Sequence, residues 1–452
     1  MASQDRDPLE IAAIEENFAE INPAMTFAEA AAEAHRCLYC YDAPCMQACP
    51  THIDVPSFIR KIASNNLKGS ARVIFEANPI GATCARVCPV DVLCEGACVE
   101  KTLLHRPIEI GRLQRHATDH VFKNNISVLK KGAPNGMSVG IIGSGPAGLS
   151  GEANLAKHGY DVTNYERKEM AGGLNTYAMA EYKIRQQTSL EEVKLVENLG
   201  VRIRVNTEIT RRETTSGDAK EHVLFSKLLE DHNAVLIAVG LGRTNYLNIP
   251  GESMKGVSDA LAFIEQIKTR EWGSIKVGRS VAVIGAGNTA IDAATQAKRL
   301  GAEKVTLVYR RTEKDAPAYD YEMDIARLDG VEFIWQAAPA EIIGNGSVNS
   351  LRCVKTDGTG DTFDLECDQV IKAIGQNKMT EFFTNVCGVS TDERGRVTVS
   401  ETMMTSRENV FAAGDCVNGG GDAVDAAQLG KKAAAGIHRY LAGAEITLPG
   451  LY

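Results

Sequence analysis

Nowhere in the 452 residues does an uninterrupted apolar run approach the ~18 residues that a membrane-crossing helix needs. The opening MASQDRDPLE is charged and has no apolar segment behind it, so no secretory signal pattern is present and a cytoplasmic protein is expected, with no membrane partner. Basic charge is also short. Lys and Arg number 49 against 58 Asp and Glu, a net charge of −9, and the basic residues are dispersed, which argues against nucleic acid as a partner. Beyond residue 98 no C-x-x-C pair occurs. Cys353, Cys367, Cys387 and Cys416 stand alone, which speaks against dithiol–disulfide chemistry there and reads as small core residues of a reduced compartment.

What is present is a chain that is 44% apolar, long enough for a large core and two to four domains. Eight of its twelve cysteines crowd into one early block, as Cys37-x2-Cys40-x4-Cys45-x3-Cys49-Pro50 and Cys84-x3-Cys88-Pro89-x4-Cys94-x3-Cys98. Disulfides would require an oxidising compartment that nothing in the sequence supports. Structural zinc favours paired C-x2-C knuckles, and only Cys37 and Cys40 have that spacing. Close cysteines ending in Cys-Pro are the ferredoxin pattern, in which the last cysteine often serves a neighbouring cluster. Two [4Fe–4S] clusters are therefore expected.

From Met137 the character changes. MSVGIIGSGPAGLSGEANLAKHGYDVTNYERKE reads as a strand, the turn Gly143-x-Gly145-x-x-Gly148, a small-residue helix and a second strand ending at Glu166. The first glycine permits the tight turn, the second admits a pyrophosphate, and the third lets helix and strand pack closely. The helix N-terminus faces the phosphates, and the acid accepts from ribose hydroxyls. A second unit begins at Ser280 with Gly285-x-Gly287, Ala290 in the third position, and Arg310-Arg311 where an acid would stand. Guanidinium groups there suit a 2′-phosphate, which favours NADPH over NADH; two solvated arginines at a strand end are the alternative.

Two nucleotide units on one chain point to a flavin and a nicotinamide, and the C-terminal NVFAAGDCVNGGGDAVDAAQLGKKAAAGIHRYL supports the flavin. It runs from a strand into Gly414-Asp415, a glycine-rich loop and an alanine-rich helix from Ala423. The aspartate suits flavin hydroxyls, and the helix terminus suits negative charge on a reduced isoalloxazine. AVLIAVGLG and QVIKAIGQN read as crossings into and out of an inserted domain, with hinges at Ala234 to Thr244 and Val370 to Gln376.

RCLYCYDAPCMQACPT, NPIGATCARVCPVDVLCEGAC and PIEIGRLQR together resemble the electron-input half of dihydropyrimidine dehydrogenase, specifically the form in which that half is a separate bacterial subunit. The glutamate synthase small subunit is similar but more distant. The resemblance implies an α/β flavoprotein with two nested Rossmann-type dinucleotide-binding domains of the adrenodoxin/glutathione-reductase kind, preceded by an α-helical iron–sulfur domain. The expected boundaries are 1–125 for the helical domain, 137–243 and 371–452 for the FAD domain, and 244–370 for the inserted NAD(P) domain. By position, the first cluster would use Cys37, Cys40, Cys45 and Cys98, and the second Cys49, Cys88, Cys94 and Gln114, leaving Cys84 unligated. FAD contacts would map to Gly143, Ser144, Gly145, Pro146, Ala147, Gly148, Glu166, Arg167, Gly173, Leu174, Gly414, Asp415 and Ala423. Where the family has an arginine followed by Leu-Pro, this chain has YKIRQ, so Lys183 or Arg185 takes that place. NADPH or NADH would meet Gly285, Ala286, Gly287, Asn288, Thr289, Arg310, Arg311, Ala373, Ile374 and Gly375.

The implied activity is a FAD-dependent NAD(P)H oxidoreductase that passes single electrons through the clusters. An FMN- and iron–sulfur-containing catalytic subunit, in a heterotetramer, would interconvert uracil or thymine and their 5,6-dihydro forms. The second cluster is expected to be the distal one, handing electrons to that partner. The alternative is the NADPH-oxidising input subunit of glutamate synthase or of another iron–sulfur flavoenzyme.

Overall fold

Two aliphatic pentapeptides, Ser138–Ile142 (SVGII) and Ser280–Ile284 (SVAVI), each followed by a glycine turn and a helix, lie at the centres of two parallel sheets. Such runs, apolar on both faces, suit strands covered by helices on each side. In the computed structural model, which describes residues 9–212, 220–444 and 448, the chain forms two compact units.

One unit comprises Gly242–Asn377 together with Tyr177–Arg185 and the chain up to Ile21. Its five-stranded parallel sheet runs in the order Glu332–Trp335, Lys304–Tyr309, Ser280–Ile284, Gln369–Lys372, Val257–Asp259. A three-stranded antiparallel sheet, Ala337–Gly344, Val348–Lys355 and Thr362–Glu366, packs within the same unit through Leu351 and Cys353. The opening helix Ile11–Asn17 departs from the expected 1–125 grouping. Ile14 and Phe18 are buried in the core of Phe263, Ile267 and Ile291, and Phe18 meets Trp272 at 4.9 Å between ring centroids. Apolar burial decides where that helix belongs.

The other unit, Asn22–Thr176, Gln186–Leu241 and Lys378–Tyr452, holds a five-stranded parallel sheet ordered Val410–Ala412, Ala234–Ile237, Ser138–Ile142, Asp161–Tyr165, Arg202–Arg204. The same unit carries a bundle of short helices, Phe27–His35, Val55–Ala63, Leu67–Ala77, Gly81–Val87 and Ile110–Lys123, closed over Phe58, Ile59, Ile74, Phe75 and Leu113. Glu192 ties the bundle to the helix Gln186–Glu197. Its carboxylate accepts from the Thr83 amide at 2.8 Å and from the Thr83 hydroxyl. The last helix, Ala423–Ala442, starts in an Asp422–Asp425 capping box and stops at Gly443 in the left-handed region, φ 64°.

The chain leaves and re-enters this unit at residues 242 and 377, where the two crossings run side by side. The Gly242 amide donates to the Asn377 carbonyl and the Asn377 amide to the Arg243 carbonyl, each at 2.9 Å.

Candidate redox centres

The eight early cysteines divide between two small cavities. Cys37, Cys40, Cys45 and Cys98 line the first, with Leu38, Val55, Ile59 and Ile110. Cys49, Cys84, Cys88, Cys94 and Gln114 line the second, with Ile53, Leu93 and Val424. Among the described residues no three His, Cys, Asp or Glu side chains converge as a single-ion site. The loop bearing the first cysteines is wound tightly: Tyr39, Ala43 and His52 all take positive φ, at 52°, 35° and 50°. Strain of this kind in non-glycine residues persists only where the surroundings over-determine it.

The donor sets suit two cubane clusters. Four thiols face the first cavity. In the second, Gln114 donates its Nε2 to the Gly81 carbonyl at 2.6 Å, a contact that only the amide nitrogen can make, and Oε1 is thereby left as the atom available for ligation. Burial pushes the free Cys45 thiol up to about 12 and the Cys94 thiol well above its ordinary value. Soft cations, which take thiolates, reverse that preference. Cys84 is buried beside Cys88 and accepts the Asn78 side-chain N–H at 3.2 Å, so it already has a hydrogen-bond partner.

The first glycine turn is built for close approach. A Cβ on Gly143, at φ 94°, would lie 2.6 Å from the Ala238 carbonyl, and one on Gly148 would lie 2.1 Å from the Gly143 carbonyl. Gly145, by contrast, faces open space, with only the Gly173 Cα near, at 3.8 Å. Glu166 Oε2 accepts from the Ser144 amide at 3.0 Å and hydroxyl at 2.8 Å, which holds the carboxylate over the turn. Pro146 and Ala147 begin the helix Pro146–Lys157; Arg167 and Leu174 are exposed. The C-terminal loop closes on this turn, since a Cβ on Gly414 would meet the Ala147 methyl at 2.8 Å. Asp415 Oδ1 is buried without a hydrogen-bond partner, and burial raises the carboxyl from 3.8 to about 6. An orphaned acceptor of this kind fits the hydroxyls of a bound FAD.

The second glycine turn opens onto a cavity of about 670 Å³, within the range of cofactor sites. All ten nicotinamide candidates line it: Gly285, Ala286, Gly287, Asn288, Thr289, Arg310, Arg311, Ala373, Ile374 and Gly375. The close contact is backbone to backbone, for a Cβ on Gly285 would stand 2.2 Å from the Ala373 carbonyl. Arg310 and Arg311 are exposed at the rim. Lining residues that the sequence did not single out include Tyr246, Tyr309, Pro317, Pro339 and Lys372. Lys372 is held by Glu252 at 2.8 Å and Asp259 at 3.1 Å, and lies 5.3 Å from the centroid of the Tyr246 ring. Only position along strand Gln369–Lys372, adjacent to Ala373, could have hinted at it.

Lys183 and Arg185 lie in the unit that contains this cavity, whereas the other FAD candidates lie in the second unit. Burial works against the Lys183 ammonium, but Asp292 at 2.6 Å and Glu322 at 2.5 Å overcome it and raise its pKa. Arg185 donates to the Phe18 carbonyl at 2.9 Å and lies over the Trp272 ring.

One expectation is corrected. The second cavity is lined by Val424, which follows Ala423 at the start of the last helix, whereas the first is lined only by residues between 37 and 110. The second cysteine set, which was expected to lie away from the flavin, is therefore the one beside the start of the flavin-side helix. Spacing along the chain could not show this, because Val424 lies more than three hundred residues from the cysteines.

Residues 137–430 match the pyridine nucleotide-disulphide oxidoreductase family, and residues 14–126 match the family described as dihydropyrimidine dehydrogenase domain II, 4Fe-4S cluster. The chain is 35% identical over 426 residues to the NAD-dependent dihydropyrimidine dehydrogenase subunit PreT of Escherichia coli K12, covering 94% of this chain and 97% of that one. It is 32% identical over 465 residues to the glutamate synthase [NADPH] small chain of Azospirillum brasilense, with 94% and 92% covered. Among solved structures, the FprA His57Gln mutant from Mycobacterium tuberculosis matches with a TM-score of 0.55 at 19% identity, over 68% of this chain and 85% of that one. Thioredoxin reductase of T. acidophilum matches with a TM-score of 0.53 at 24% identity, over 67% and 97%. These last two bear on the fold alone: two dinucleotide-binding domains of the flavoprotein type.

Proposed function

This chain belongs to the family of iron–sulfur flavoproteins, FAD-dependent NAD(P)H oxidoreductases, that includes the PreT subunits and the glutamate synthase small chains, and on that premise we propose that it is the electron-input subunit of a dihydropyrimidine dehydrogenase. FAD held here would supply a hydride acceptor for NAD(P)H and a one-electron donor to iron–sulfur clusters. The protein's part is to hold four groups, the nicotinamide, the flavin and two clusters. Arg310 and Arg311 meet the 2′-phosphate of NADPH, although the PreT relatives are named NAD-dependent. Ser144, Glu166 and Asp415 fix the flavin nucleotide. Cys49, Cys88, Cys94 and Gln114 hold the cluster beside it, and Cys37, Cys40, Cys45 and Cys98 the distal one.

The observation that carries this reading is the division of the cysteine block between two cavities, one of them reaching the start of the flavin-side helix. A surface feature supports the direction of transfer. Leu38, Tyr41, Leu103 and Leu104 are exposed on the segments that bear Cys37, Cys40 and Cys98. Arg36 holds those segments together, donating to the Arg106 carbonyl at 2.7 Å. Exposed apolar side chains around half-buried thiols suit a docking face for an FMN- and iron–sulfur-containing partner, in a heterotetramer.

Reconstitution tests the reading. Alone, the protein oxidises NAD(P)H with ferricyanide and leaves uracil and thymine untouched. With the FMN-bearing subunit it acquires uracil- and thymine-dependent NAD(P)H oxidation, and a Leu103→Glu/Leu104→Glu variant keeps the ferricyanide activity but loses the coupling. Pyrimidine turnover by the lone chain, or coupling only to a glutamate synthase large chain, overturns it.

A further inference from the structure

Lys431 is among the largest side chains of the molecule with no exposed surface. It lies on the helix Ala423–Ala442, directly after Gly430, whose Cβ position is 2.1 Å from the Ala147 carbonyl of the flavin-side glycine turn. From there the chain reaches the cysteine block. Lys431 Nζ donates to the Thr51 carbonyl at 2.9 Å. Thr51 is itself fully buried, its hydroxyl is 3.4 Å from the Cys49 sulfur, and the His52 amide donates to the Cys49 carbonyl at 2.8 Å. Val424 of the same helix lines the cavity that contains Cys49 and Pro50. One helix thus touches both redox sites, and its buried cation stands at the second.

Lys157 and Cys49 both act on the Lys431 ammonium, and Lys431 and Lys432 act in turn on His52. Lys157 is turned to the Glu76 carbonyl at 3.0 Å. Burial and Lys157 press the Lys431 ammonium down to about 7, and Cys49 acts in the opposite direction. A thiolate–cluster anion at Cys49 is a lasting negative charge in a low-dielectric interior, where a nearby cation acts strongly.

We propose that Lys431 is a positioning residue of the second cluster: it fixes the Cys49–Thr51 turn through the Thr51 carbonyl, and its buried positive charge favours the cluster's reduced, more negative state. The step adds one electron, supplied by the flavin, with no covalent bond made or broken, and the added negative charge strengthens the hold of Lys431 on its proton. A cation in this place makes the transfer out of the flavin more favourable and leaves the distal cluster unaffected. The inference rests on the two-cluster reading above.

The test is a potentiometric titration of the full chain followed by electron paramagnetic resonance, the second cluster being the signal that Cys94→Ala removes. In Lys431→Gln and Lys431→Met, the reduced-to-oxidised ratio of that cluster at fixed potential falls at least tenfold, which is 59 mV for a one-electron couple. Lys431→Arg keeps the parental ratio within a few-fold, and the first cluster stays put in all three. If the Met variant loses iron, Gln against Arg carries the comparison. An unchanged ratio in Gln and Met, or an equal shift in Arg, overturns the inference. Absence of any second signal in the parent protein overturns the cluster reading itself, which iron and acid-labile sulfide analysis shows separately.

Discussion

Asp415, proposed to meet the flavin hydroxyls, is a buried carboxyl whose Oδ1 has no hydrogen-bond partner. In the folded chain its carboxyl is raised from 3.8 to about 6, chiefly by burial, so the folded chain binds the proton more tightly than the unfolded one does. The resulting penalty is absent below about pH 4, develops as pH rises to about 6, and is fully present above, at about 3 kcal/mol. Asp415→Asn therefore stabilises the flavin-free protein at pH 8 by an amount of that order, gains nothing at pH 4, and weakens FAD binding. Denaturant titrations at the two pH values check this, and equal stability of the two proteins at pH 8 contradicts it. Arg310 and Arg311 lie at the opposite extreme, exposed at a cavity rim. A charge-assisted bond to the 2′-phosphate contributes about 1.5–3 kcal/mol, so replacing both with alanine raises KM for NADPH about tenfold or more and leaves that for NADH nearly unchanged. Equal effects on the two cofactors, measured in steady-state assays, refute the NADPH preference.

At the scale of elements, what could be read in advance depended on how far apart the cooperating residues lie in the chain. Each glycine turn, with its strand and helix, is a local pattern, and both pentapeptides became central strands. The opening helix Ile11–Asn17 is grouped by sequence with the 1–125 domain, because its partners Phe263 and Trp272 come some 250 residues later and an amphipathic heptamer fits any apolar surface. Lys431 was invisible for a related reason: a lysine in an alanine-rich helix reads as solvent-facing, and only the Thr51 carbonyl, 380 positions away, reveals its burial. Gly430, just before it, is likewise a contact of non-local origin. A methyl there would strike the Ala147 carbonyl, so Gly430→Ala forces the last helix away from the flavin turn, at about 1–3 kcal/mol for overpacking. The variant is expected to melt lower and to purify with less FAD. Parental flavin content would show that the two helices need not be so close.

At the scale of the whole molecule, the proposed account turns on which cysteine set lies beside the flavin-side helix. Spacing in the cysteine block showed two groups of four, and only the family resemblance paired Cys98 with the first set and Cys49 with the second; neither showed which set lies by the flavin-side helix, since that depends on Val424. The central claim is that electrons pass from the flavin to the cluster at Cys49, Cys88 and Cys94 before they reach the one at Cys37, Cys40 and Cys45. Anaerobic mixing with NAD(P)H, freeze-quenched and read by electron paramagnetic resonance in two variants, tests it most directly. With Cys98→Ala, which removes a ligand of the first set, the second cluster is still reduced at the parental rate. With Cys94→Ala, flavin reduction persists while the first cluster stays oxidised on the turnover timescale. Prompt reduction of the first cluster in Cys94→Ala would contradict the account.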